Sequence, residues 1–567
     1  MMDWQRTGLF IGMGVIVVLL LIEWSEFQER QQPVVATNTA TSTSMNNNNI
    51  PQPENTNTIP VANAPTDSGI PTITPTQTAP VINNQQGSQQ INIKTDTLDV
   101  IIDTFGGDIV KTALPQYPIE IDKPNDPLVL LNQNQSTIYV ARSGLIGANG
   151  TDVANKPRPL FSVAKTDYEL LDGEDNLQVD LTLTQNNVDI IKRFTFTRGE
   201  NLIKVEYIID NQSDGVWSGN FYGQIRRDDH EPVQTGPSFG ASSFLGVATS
   251  TRESNYEKFD FDDITTTKEK FDNTGGWMAM VQHYFVSAWI PKQDDLNNFE
   301  IYKLANTNEY IFGFFGPAVV IPPGQKGVLG ADFYSGPKDL HRMQEIATHL
   351  ELTIDYGFLF FISKPLFYFL HWIHSFVGNW GIAIILMTVS VKAAFFHLSA
   401  AGYRSMAKMR KFAPKMAELK ERYGDNRQKM SEETMKLYKK EKVNPLGGCL
   451  PMLVQMPVFL AFYWVLMESV ELRHAPLFLW INDLSVKDPF FILPLIYGAT
   501  FWFQQKLNPT PPDPTQAKIM QMMPFVFTVM FLFFPAGLVL YWVVNGGLSM
   551  AQQYVITKQI DRADTKS

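Results

Sequence analysis

Residues 380–398, WGIAIILMTVSVKAAFFHL, constrain this chain more than any other stretch. The run is apolar and long enough to cross a bilayer, which takes about 20 such residues. Yet it carries Lys392, with Thr388 one helical turn earlier on the same face. A cation inside a span costs about 2.5–3.5 kcal/mol on insertion scales, and more if it faces lipid. A fold that keeps it must make the charge tolerable. Snorkelling to the headgroups is one way, and a wet cavity is another.

The rest of the chain supplies the setting. It has 567 residues, 44% of them hydrophobic, yet its formal net charge is -11. The two values belong to different regions: apolar runs cluster at 7–23 and after 353, and most of the acidic excess lies between. The simplest reading is a sizeable soluble part joined to a membrane part. Cys449 is the only cysteine, so no intrachain disulfide exists and the soluble part must be stable by its core alone. A domain of about 250 residues is large enough for that.

Residues 1–24 read as an N-terminal signal-anchor span with its start in the cytoplasm. The apolar run at 7–24 follows Arg6 and passes into EWSEFQER without the small-residue step of a cleavage site. A cleaved signal peptide is the alternative. Residues 25–90 form a periplasmic linker in this reading. From 31 on they are rich in Gln, Asn, Thr and Pro and bury too little to offset the entropy of ordering, so a disordered tether is expected.

Residues 91–351 change pattern. INIKTDTLDVIIDTFGG, STIYVARSGL, LQVDLTLTQ, VDIIKRFTFTRG and LIKVEYIIDNQSDG alternate apolar and polar residues between Gly-rich turns. That predicts antiparallel strands in a β-sandwich. Asp228, Asp229, Glu231, Asp260, Asp262 and Asp263 offer material for a paired-carboxylate glycosidase. Scattered acids in an acidic domain more often form a solvated surface. With no metal-ligand cluster in the sequence, the expectation is a non-enzyme without cofactors, whose soluble domain offers a protein-binding surface.

Residues 352–379 are aromatic and apolar, interrupted at Lys364-Pro365, and carry His371 and His374. They read as an amphipathic helix on the outer membrane surface; a full span would reverse everything after it. The segment 399–445 is basic from Arg404 to Lys442, so it is expected in the cytoplasm. A single crossing at 380–398 then satisfies the topology. GDN at 424–426 divides the basic segment into halves, 400–423 and 427–442, which suggests an antiparallel helical hairpin. Both a solvated hairpin that sets topology and a docking surface near anionic headgroups fit it.

Four more spans follow: 446–469, with Pro451, Gln455 and Pro457; 489–505; the Met- and Phe-rich 518–534; and 538–554, after PAG. A short outer loop at 470–488, a cytoplasmic loop at 506–517 and a basic tail at 555–567 connect and close them. Six spans put both ends in the cytoplasm.

NPLGGCLPMLVQMP (444–457), FPAGLVLYW (534–542), SVELR (469–473), SMAKMRKFAPK (405–415) and GGWMAMVQHYFVSAWIP (275–291) resemble the YidC membrane protein insertase family of Gram-negative bacteria. The resemblance implies a multi-pass α-helical inner-membrane protein of six spans, with a large periplasmic β-supersandwich and a cytoplasmic helical hairpin. It implies a chaperone that inserts and folds membrane proteins, alone or with the Sec translocon, through a hydrophilic inner-leaflet groove. The implied partners are nascent membrane proteins, the Sec translocon and its accessory subunits, the ribosome and signal-recognition machinery, and the lipid bilayer. Nucleic acid is not a substrate.

The expected groove residues are Lys392, Thr388, Gln455, Tyr541 and Trp542. The expected slide for an incoming helix, from the third and fifth spans, is Met456, Phe459, Met523, Phe527 and Met530. The family usually has arginine where this chain has Lys392; a lysine keeps the charge and loses the planar two-pronged donor fork. No GxxxxGK[ST] is present, so hydrophobic partitioning and the membrane potential would drive the work. Two other classes compete. A transporter predicts paired repeats with broken helices, and none is found. An anchored periplasmic binding protein predicts that the soluble domain carries the function.

Overall fold

The computed structural model describes residues 87–154, 156–232, 243–423, 426–440, 450–508 and 514–564. The signal anchor, nearly all of the linker and Cys449 lie outside the described residues. Two compact units divide the chain. Among the described residues, one holds 87–413 with 450–564 and the other holds 414–440.

In the larger unit, period-two sequence becomes two antiparallel sheets around one core. The ten-stranded sheet runs, in spatial order, Glu269–Thr274, Leu296–Lys303, Glu309–Ile321, Trp217–Asp228, Ile138–Ile146, Pro127–Gln133, Asp108–Pro118, Asp99–Asp103, Gln90–Lys94 and Asp167–Glu169. Its last pairing is parallel. The nine-stranded sheet runs Glu257–Phe259, Gly246–Thr249, Met278–Val281, Phe285–Ile290, Gln325–Pro337, Leu202–Asn211, Val188–Thr197, Asn176–Gln185 and Ser162–Val163. Val188–Thr197 and Leu202–Asn211 show the cause plainly. Alternate residues are buried along each, and Phe194 faces Val205 while Ile190 faces Ile209.

One inward position breaks the apolar rule. Lys192 is fully buried, and its ammonium donates to the carbonyls of Gly106 and Ser143 at 3.0 Å each, on the opposite sheet. Arg158 bridges Asp108 and Asp152 beside it. Gly106 and Gly107 both sit at positive φ, 77° and 63°, and a Cβ on them would collide with Arg158 and Lys192. The Gly-Gly turn is therefore required both by its backbone and by the charges packed on it.

After the sandwich come α1 (Leu340–Ile346), α2 (Phe360–Val377), α3 (Trp380–Ala394) and α4 (Phe396–Lys411). Next are α5 (Ala413–Tyr423) and α6 (Arg427–Lys440), then α7 (Leu450–Glu468), α8 (Ile492–Leu507), α9 (Pro514–Phe531) and α10 (Ala536–Asp564). The aromatic stretch expected to lie on the membrane is α2, with Phe360, Phe361, Trp372 and Phe376 exposed.

Three expectations change. The run 380–398 is not one straight helix: α3 stops at Ala394, and α4 leaves at 67° to it. The first half of the basic segment is not one helix either. It breaks at Phe412, because Pro414 has no N–H for the helical ladder and restricts the residue before it. The final helix does not end at 554 but continues to Asp564, since VITKQIDRAD holds no Gly or Pro to stop it. Among the described residues no single helix is long and apolar enough to cross a membrane; the bent pair α3 and α4 reaches that length and apolar composition only when its two halves are taken together.

Candidate functional site

The break at Phe395 organises the polar residues of the helical core. The start of α3 is fixed firmly. Asn379 accepts from the Ile382 amide at 2.9 Å and donates to the carbonyls of Pro476 and Leu477 at 3.0 Å each. Gly381 lets Leu477 approach so closely that a Cβ there would overlap it. From this anchor the helix carries Lys392 to its last turn, just before the break.

Lys392 is half-buried, and its ammonium stands 3.5 Å from the side-chain oxygen of Gln455 on α7, the outer limit of a hydrogen bond. The amide nitrogen of the same Gln455 donates to Ser399 Oγ on α4 at 3.1 Å. One glutamine therefore spans the break, touching the cation before it and a hydroxyl after it. From α10, Gln552 donates to the Phe396 carbonyl at 3.1 Å, beside the interruption. Among the described residues Lys392 has no ion-pair partner.

The other expected groove residues are placed differently. Thr388 is 1% exposed, and its hydroxyl donates to the Ile384 carbonyl of its own helix at 2.7 Å. It is a core residue with a satisfied hydroxyl. Tyr541 is buried, stacked on Phe459 with ring centres 6.0 Å apart and edge-on to Phe462 at 5.1 Å. Trp542 lies 4.5 Å from Phe459, 5.7 Å from Phe531 and 5.8 Å from Tyr497. Its indole N–H is buried and has no hydrogen-bond partner among the described residues. Tyr541 and Trp542 thus form an aromatic layer on Phe459, one helical turn from Gln455, rather than a polar ring with Lys392.

Of the expected slide, Met456 is exposed and points away from the core. Phe459, Phe527 and Met530 pack against the core, and Met523 is half-buried. The outer face of α9 is instead Ile519, Met522, Phe525, Val526 and Val529, all more than half exposed. Ser399 escaped the sequence reading, and Gln552 is not among the expected groove residues. Only their distance to the break marks them, and no local pattern announces it.

Two family comparisons cover nearly all of the described chain. Residues 90–369 match the YidC periplasmic domain, and residues 372–563 match the 60Kd inner membrane protein family. The Membrane protein insertase YidC of Cellvibrio japonicus (strain Ueda107) is 53% identical over 566 residues, covering 100% of both chains. That of Saccharophagus degradans is 54% identical over 563 residues, covering 99% of this chain and 100% of the relative. The chain belongs to the YidC membrane protein insertase family. Membership places it in the inner membrane with its β-sandwich in the periplasm. A solved structure of an active YidC insertase with its first transmembrane domain resolved is 17% identical, covers 82% of this chain and 91% of its own, and superposes with a TM-score of 0.36.

Proposed function

We propose that this protein inserts membrane proteins, the activity its family is named for, at the notch where α3 breaks into α4. The observation that carries the reading is Lys392: a half-buried cation at a helix break whose one close polar partner among the described residues is a neutral amide oxygen. An acidic or polar group of an incoming segment is a better partner for it than Gln455. The ammonium holds that group transiently and shortens its path through hydrocarbon. Gln455 and Ser399 offer hydrogen bonds to peptide groups on the way. Burial of the apolar helix in lipid then drives release, and the membrane potential assists negative segments. A lysine suffices for this, because the step needs a positive point charge and no two-pronged clamp.

The finer features belong to the same proposal. Six spans leave both termini in the cytoplasm, and the basic helices α5 and α6 form a cytoplasmic hairpin. Met456 begins the path of the incoming helix, and Phe459, Met523, Phe527 and Met530 line it once the outer face of α9 yields. The Sec translocon, with ribosome and signal-recognition machinery, delivers part of the substrates. Photoreactive probes at Gln455, Phe525 and Trp542, in ribosome-stalled synthesis of a membrane protein, test the assignment. Crosslinks to the nascent chain are expected at Gln455 and Phe525. Silence at all three sites would refute it.

A further inference from the structure

At the opposite end of α7 from Gln455, a second charged contact is closed completely. Glu468 ends the helix and pairs with Lys338 at 2.8 Å, with side chains only 2% and 1% exposed. Lys338 lies where the last strand of the sandwich leads into α1, and it also donates to the Thr353 carbonyl at 3.2 Å. Ser243 donates to the other Glu468 oxygen at 2.9 Å. The ring nitrogen Nε2 of His283 meets the Met467 carbonyl at 2.8 Å. Gly357, at φ 62°, brings its backbone against the Trp464 ring. Four segments of the periplasmic side thus grip the last two turns of one helix.

The charge on that helix is in an unfavourable place. A carboxylate at a helix C-terminus opposes the macrodipole, and burial penalises it again. An apolar residue would suit the isolated helix better. The pair contributes direction: it admits one rotation and one height of α7 relative to the sandwich. Gln455 and Phe459 lie on the same continuous helix, Gln455 about 20 Å away along the axis.

We propose that Lys338 is a positioning residue for insertion. Its pair with Glu468 sets the rotation and height of α7, and so fixes where Gln455 stands against Lys392 and where Met456 meets the substrate. The proposal rests on the insertase reading above. It gives the soluble domain a role confined to its membrane-proximal rim.

The test uses the full-length chain in cells depleted of their own insertase. A reporter membrane protein is followed, normalised to the amount of protease-resistant chain, with a photoreactive probe at Met456. Lys338→Met is compared with the double variant Lys338→Met/Glu468→Met, which removes both charges and keeps the contact apolar. The double variant is expected to restore the folded chain. Its insertion per folded chain is expected to stay ~10-fold low, with the Met456 crosslinks to nascent chain weakened. Insertion and crosslinking at the native level in the double variant would overturn the proposal, leaving Lys338 as a mere counter-charge. Native insertion by Lys338→Met alone would overturn it too. If the unaltered chain fails to insert the reporter, the insertase reading falls instead.

Discussion

Lys338 and Lys392 are both cations drawn out of bulk water, and they are treated in opposite ways. Lys338 is shut in with a carboxylate of its own. Lys392 is half-buried beside an amide oxygen at 3.5 Å. A cation matched inside the fold has little left to offer a visitor. A cation met only by a neutral dipole keeps most of its field for one. The difference separates a charge neutralised inside the fold from a charge met by a neutral dipole.

Removing each side chain sharpens the contrast. Lys338→Met strands Glu468 in the interior and should destabilise the chain by ~3–5 kcal/mol, since breaking a buried pair leaves an uncompensated charge. Lys392→Met removes a charge that has no ion-pair partner among the described residues and should cost less than ~1 kcal/mol, or even stabilise. Detergent-solubilised protein, unfolded by denaturant and followed by hydrogen exchange in α7, measures both. Equal losses would erase the distinction.

Lys192 gives a third case, in the sandwich, satisfied by carbonyls. Burial pulls its amine down from 10.5 to about 7, against the opposing influence of Asp108. A group whose folded value is depressed this way is more protonated in the unfolded chain between about 7 and 10.5. Stability of the sandwich should therefore rise as pH increases through that window, and the penalty should be fully present below it. Lys192→Met should flatten the slope whatever it does to stability overall. An unchanged slope would assign the titration elsewhere.

The smallest effect concerns the break itself. Gln552→Leu removes the donor to the Phe396 carbonyl and should cost about 1 kcal/mol. Spin labels on α3 and α4 should then report a broader distribution of bend angles. A distribution as narrow as in the native chain would show that the break is held by backbone alone.

Much of this fold could be read from local pattern. Val188–Thr197 and Leu202–Asn211 alternate as sandwich strands must, and the aromatic run around Trp372 announced a helix with an exposed apolar face. What escaped depends on distant partners. Lys192 sits at an inward position that the period reserves for apolar residues, and its two carbonyl acceptors lie 86 and 49 residues away. The helix break after Ala394 has no proline or glycine to mark it, and the side chains that meet it, Gln455 and Gln552, come from distant helices. Thr388 shares a face with Lys392 in sequence, but a β-branched hydroxyl bonds back to its own helix as readily as it lines a cavity. The Lys338–Glu468 pair spans 130 residues, and neither residue looks unusual where it stands.

The most direct measurement compares Lys392→Ala with Lys392→Arg in cells depleted of the native insertase, using a substrate with an acidic extracellular segment and a variant of it with that segment neutralised. The arginine chain should insert both substrates as well as the native chain does. The alanine chain should lose ~10-fold or more on the acidic substrate and little on the neutral one. Equal insertion of the acidic substrate by the alanine and native chains would contradict a role for the charge.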